Sequence, residues 1–187
     1  MDAETSKRIC GMLSYLLQYP DDEWQDWLYA AWLEAGEIQD GEIKRRLHDF
    51  LDAAERMDKE HWQDQYVRTF DFGKKTNLYL TYSDHGEERE RGPALIALKR
   101  QYEESGYALD SGGELPDYLP LMLEFASAAP WPKAEPVLAG HRHALVSIHR
   151  ELADSGSPYA GLFELLLRIT ADGPDRGSAS STGRDVH

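Results

Sequence analysis

Ile9-Cys10-Gly11-Met12-Leu13-Ser14-Tyr15-Leu16-Leu17, followed by Gln18-Tyr19-Pro20, sets the fold class. Its apolar residues Ile9, Met12, Leu13, Leu16 and Leu17 recur at three- and four-residue steps, the spacing that lines one face of an α-helix, and Pro20 ends it. The same period returns downstream. Asp21 and Asp22 offer N-cap oxygens to a second helix carrying Trp24, Trp27, Leu28, Ala31 and Trp32, with Gly36 as its stop. Ile43, Leu47, Phe50, Leu51 and Ala54 mark a third helix, and Trp62, Tyr66 and Phe70, at steps of about four, a fourth.

Between Asp71 and Gly92 the pattern changes. Leu78-Tyr79-Leu80-Thr81-Tyr82 alternates as a short strand would, but no second strand signal exists to pair with it, so a short helix or extended link is expected. Ala94, Leu95, Leu98, Tyr102 and Tyr107 mark a further helix, with Pro93 in its first turn and Gly106 near its end. Leu119, Met122, Leu123 and Ala126 form the next, closed by Pro130-Trp131-Pro132. Val137, Leu138, Leu145, Ile148 and Leu152 read as one stripe, and Tyr159, Leu162, Phe163, Leu166 and Ile169 as the last. The expectation is all-α: a single-domain bundle of about seven to eight helices over residues 1–171. Residues 172–187 have almost no apolar content to offset ordering entropy and are expected to form a disordered tail.

The charges narrow the function. Twenty Lys and Arg against 34 Asp and Glu give a formal net charge of −14. Such a field repels phosphate backbones and anionic headgroups, so nucleic acid and membrane surfaces are poor partners, while a basic peptide is attracted. Cys10 is the only cysteine, so one chain can build neither an internal disulfide nor a thiolate cluster, which fits a reducing, cytoplasmic setting. Lys7-Arg8 before an apolar run resembles a signal peptide, but acidic residues precede it and no small-residue cleavage site follows. No run reaches the roughly 18 apolar residues of a membrane span.

Catalytic readings find little support. His141 and His143 stand two residues apart, which on a helix points them to opposite sides and prevents chelation of one ion. No phosphate-cradling or zinc-binding motif occurs. Glu87, Glu88, Glu90, Glu103 and Glu104 could supply an acid–base pair only in a desolvating pocket. The interleaved Arg89, Arg91, Lys99 and Arg100 favour surface pairing at i,i+4. A chain that is not an enzyme is expected.

The segment Tyr-Val-Arg-Thr-Phe-Asp-Phe-Gly-Lys-Lys-Thr-Asn-Leu-Tyr-Leu-Thr-Tyr-Ser-Asp-His-Gly-Glu-Glu-Arg-Glu-Arg-Gly, Tyr66 to Gly92, closely resembles the NarJ-type nitrate reductase assembly chaperones. Glu114 to Ala126, an acidic-proline turn leading into a Leu-rich helix, resembles the family's second landmark, and the resemblance covers roughly residues 6–170. It implies a helical bundle, related to the wider group of molybdoenzyme chaperones, that binds the N-terminal segment of the apo catalytic (alpha) subunit of respiratory nitrate reductase. That subunit is held competent for molybdenum cofactor insertion and membrane assembly, and no reaction is catalysed. The resemblance implies that the molybdenum cofactor is delivered to the client rather than held stably by the chaperone, and it suggests cofactor biosynthesis proteins as further partners. Where the wider group commonly reads Asp-His, this sequence reads Asp117-Tyr118: Asp117 carries over by identity and Tyr118 only by position. Tyr66 and Phe70 resemble positions that line the peptide groove in relatives.

Elementary chemistry fits such a groove. An amphipathic peptide would lay its apolar face against aromatic walls and turn its basic residues to an acidic rim. Tyr66, Phe70, Tyr79, Tyr82 and Tyr118 are the candidate walls; Asp71, Asp84, Glu114 and Asp117 are the candidate rim. Phe70 fits core and groove equally. Two other classes stay open: a helical adaptor or chaperone for a different molybdoenzyme or partner peptide, and a small acid–base enzyme using clustered carboxylates and a histidine such as His85.

Overall fold

A computed structural model describes residues 1–73, 75–85, 91–108 and 113–171, with only the backbone path given for Ser83, Asp84 and His85. The expected tail at 172–187 lies outside the described residues. The described chain is all-α. The first four helices are α1 (Ala3–Leu16), α2 (Asp22–Gly36), α3 (Gly41–Arg56) and α4 (Lys59–Tyr66). An aspartate N-caps each: Asp2 accepts from Thr5 N–H, Asp21 from Trp24 N–H, Asp40 from Glu42 and Ile43 N–H, and Asp58 from His61 N–H. These carboxylates satisfy donors that the first helical turn leaves open. Helix α4 runs on into a single π-helical turn, Val67–Asp71.

Next come α5 (Leu80–His85), α6 (Arg91–Glu104), α7 (Leu119–Ala128), α8 (Trp131–Gly140), α9 (Arg142–Asp154) and α10 (Ala160–Ile169). Helix α6 stops at Glu104, earlier than Tyr107. Gly106 takes φ +86, a left-handed value that suits glycine, and Tyr107 N–H returns to the Tyr102 carbonyl at 3.0 Å. Ten α-helices among the described residues exceed the expected number for two reasons. The ambiguous 71–92 stretch contributes the short α5. The single stripe through Val137 and Leu152 is two helices, broken at His141, with Trp131-Pro132 opening α8 as well as closing α7. Proline is tolerated there because its missing N–H falls in the first turn.

Helix α1 packs along α7, α10 against α9 and α3, and α2 against α3. Ile9, Leu13, Leu16, Met122, Leu123, Leu162 and Phe163 are wholly buried where these faces meet. One departure concerns α2. Trp24 is buried, but Trp32 remains 41% exposed and lies flat on the His48 ring of α3, centroids 4.7 Å apart. Buried aromatic rings also form a chain that leads to the site described next. Trp24 stacks on Trp62, Trp62 contacts Phe50 and Tyr159, Tyr159 contacts Phe70, and Phe70 contacts Tyr66 at 5.0 Å.

Candidate functional site

Two non-helical segments meet beside this ring chain. Leu80 N–H donates to the Asp117 carbonyl at 3.0 Å and Leu119 N–H to the Leu78 carbonyl at 2.8 Å, giving an isolated antiparallel bridge at Tyr79 and Tyr118. The alternation of Leu78 to Tyr82 thus reflects one bridged residue, after which Leu80 begins α5. Across the bridge the Tyr79 and Tyr118 rings lie 5.2 Å apart.

Asp117 holds the two segments together. Its side chain is 0% exposed, and its Oδ2 accepts from Thr81 N–H at 3.1 Å and from the Thr81 hydroxyl at 2.5 Å. Arg91 approaches the same oxygen at 3.5 Å and also donates to the Thr81 hydroxyl at 3.2 Å. Oδ1 has no partner among the described residues. Tyr102 hydroxyl donates to the neighbouring Pro116 carbonyl at 2.8 Å. The placement of Asp117 on a solvent-facing rim is therefore corrected: three donors from Thr81 and Arg91 offset the cost of burying its charge. The surface pairing expected of Arg91 is corrected likewise, whereas Arg100 does pair with Glu104 at i,i+4.

In front of the bridge opens a pocket of about 190 Å³ lined by Tyr19, Tyr66, Phe70, Asp71, Asn77, Leu78, Tyr79, Glu114 and Tyr118. Tyr19, Glu114 and Tyr118 also line an adjoining depression of about 340 Å³ that runs along α7 past Leu121 and Glu124. The two form one groove. Tyr66, 4% exposed, and Phe70, 2% exposed, belong to the buried core and also line the floor of this pocket. Tyr66 hydroxyl donates to the Leu17 carbonyl at 3.1 Å and sits 3.5 Å from the Tyr118 hydroxyl, and Tyr19 meets the Tyr66 ring edge-on at 5.6 Å. Tyr79 hydroxyl donates to Glu114 Oε2 at 2.5 Å. Desolvation raises the phenols of Tyr66, Tyr79 and Tyr118, and it raises the carboxyl of Asp71 at the pocket mouth.

The expected site residues Tyr66, Phe70, Tyr79, Glu114 and Tyr118 thus converge, joined by Asp71. Tyr82 does not line the pocket; it is 36% exposed and carries the Arg91 guanidinium 5.6 Å above its ring. The Asp84 side chain lies outside the described residues. Sequence reasoning missed Tyr19, Asn77 and Leu78 as pocket residues, and Thr81 and Arg91 as partners of Asp117. Among the described residues no three His, Cys, Asp or Glu side chains are grouped to hold a metal ion.

Residues 37–164, which carry both bridged segments and the Asp117 cluster, match the sequence profile described as nitrate reductase delta subunit. The chain belongs to the nitrate reductase delta subunit family. Of the groove residues, Gln18, Tyr19 and Asp21 precede the span that matches the family profile. The probable nitrate reductase molybdenum cofactor assembly chaperone NarJ of Bacillus subtilis (strain 168) is 44% identical over 159 residues, 83% of this chain and 84% of the relative. The nitrate reductase molybdenum cofactor assembly chaperone NarJ of Escherichia coli (strain K12) is 37% identical over 161 residues, 84% of this chain and 67% of the relative. The probable chaperone NarW of the same strain is 33% identical over 166 residues, 87% and 68% respectively. The resemblance read from Tyr66–Gly92 and Glu114–Ala126 is thereby borne out at the level of the family.

Proposed function

We propose that this chain is a nitrate reductase assembly chaperone that binds the N-terminal segment of the apo catalytic (alpha) subunit in the groove between Tyr19, Tyr66, Tyr79, Tyr118 and α7. The single observation that carries this reading is an open, aromatic-floored groove with carboxylates at its edge, built from the segment shared with relatives named as such chaperones. An amphipathic segment presents apolar residues at i, i+3/i+4 and i+7, which would pack on the rings and Leu121. Its basic residues would face Asp71, Glu114 and Glu124. The net charge of −14 favours the encounter.

On this reading the chain catalyses nothing. It shields the client segment while the molybdenum cofactor enters the catalytic subunit, keeps no cofactor of its own, and releases the subunit for membrane assembly. Contact with cofactor biosynthesis proteins at that stage belongs to the same proposal. The work is done in the cytoplasm, and no described helix is long and apolar enough to cross a membrane. A pull-down from cells making the cognate reductase tests this. The apo catalytic subunit is expected to co-purify, and deletion of its N-terminal segment is expected to abolish recovery. Equal recovery of the truncated subunit would count against the groove's role.

A further inference from the structure

Resting on that reading, we propose that the pocket bounded by Tyr19, Tyr66, Phe70, Tyr79 and Tyr118 receives one arginine side chain of the bound segment, with Asp71 and Glu114 as its counter-ions. Size comes first. At about 190 Å³ the pocket is smaller than the roughly 300–1,000 Å³ of a small-molecule site and far narrower than a helix, so it holds one inserted side chain.

Charge decides which kind. Asp71 lines the pocket, and its carboxylate makes no hydrogen bond or ion pair among the described residues. The described basic residues flanking it in sequence are committed elsewhere, Arg68 to Asp64 at 2.8 Å and Lys75 to Glu151 at 2.8 Å. Glu114 uses Oε2 for the Tyr79 hydroxyl, and its Oε1 has no hydrogen-bond partner among the described residues. An apolar side chain would cover Asp71 without pairing it, and an anion would be repelled. A cation satisfies the carboxylates and gains from the faces of the tyrosine rings. Guanidinium suits this pocket better than ammonium because its flat, weakly hydrated surface stacks on rings while its edge donates two parallel bonds to a carboxylate. The hydroxyls of Tyr66 and Tyr118 offer further acceptors at the floor.

The test is calorimetry at low salt with the full chain and the N-terminal peptide of its cognate apo catalytic subunit. Each arginine of the peptide is replaced in turn by citrulline, a neutral isostere, and by lysine. One position is expected to lose about tenfold in affinity as citrulline and less as lysine, while the others change little. In Asp71→Asn, and separately in Glu114→Gln, the citrulline penalty at that position is expected to shrink, the signature of direct coupling. Both variants replace exposed side chains and are checked by thermal melting. A client segment without arginine, equal small losses at every arginine, or an undiminished penalty in both variants overturns the arginine pocket and leaves the chaperone reading standing. Failure of the unmodified peptide to bind overturns both.

Discussion

Asp117 and Tyr66 are the residues on which the site's geometry depends most. Asp117 joins the segment before α7 to α5 and α6 through Thr81 and Arg91, so Asp117→Ala leaves a guanidinium and a buried backbone N–H without their partner. Breaking such a pair is expected to cost about 3 kcal/mol in urea-melt stability, with Asp117→Asn in between because an amide oxygen can still accept from Thr81. A wild-type midpoint in both variants would contradict this role. Tyr66→Phe removes only the hydroxyl bonded to the Leu17 carbonyl and is expected to cost about 1 kcal/mol, whereas Tyr66→Ala empties the pocket floor and costs about 3–5 kcal/mol. Binding measured on Tyr66→Phe therefore reports on the groove more cleanly than binding measured on Tyr66→Ala. The four-residue step from Tyr66 to Phe70 was legible in the sequence because it is a helical period. The burial of Asp117 was not, since nothing in the sequence around it announces that Thr81, 36 residues away, and Arg91 converge on its carboxylate.

At the scale of elements, helices with clear apolar stripes and aspartate caps were readable, because periodicity and capping are local. Breaks within a stripe were not: Val137 and Leu152 share an apolar pattern that continues across His141, where the backbone leaves the helical region. Nor was the π-helical turn, which places Phe70 against Tyr159 and ends at Asp71. Gly73 follows that turn, and a Cβ there would collide with the Thr69 carbonyl and the Thr76 hydroxyl. Since Thr69 contributes backbone rather than a flexible side chain, Gly73→Ala is expected to destabilise by about 1–3 kcal/mol and to loosen the wall carrying Asp71. Thermal melts check the first effect; an unchanged melting temperature would mean the close approach is relieved without cost.

For the whole molecule, burial of ionisable groups sets the alkaline limit of stability. The Cys10 thiol is pushed up to about 12, and the phenols of Tyr102 and Tyr159 are raised by the same desolvation. In each case the folded pKa lies above the unfolded one, so the contribution is fully present below the unfolded value, 9.0 for the thiol. It is lost as pH rises from there toward 12, at up to about 1.4 kcal/mol per pH unit for each group. Urea melts between pH 8 and 10 should show stability falling, less steeply in Cys10→Ala; a rise would contradict the assignment. The net charge of −14 gives a second global expectation, that affinity for the client peptide declines as salt screens charges over about 8–10 Å while its apolar part persists. The most direct test of the groove itself is amide hydrogen exchange of the chain with and without the N-terminal peptide of the apo catalytic subunit. Protection is expected to concentrate in Tyr66–Asp71, Asn77–Tyr79 and the stretch from Glu114 to Glu124; a peptide that binds yet leaves these amides unchanged would contradict the groove as the client site.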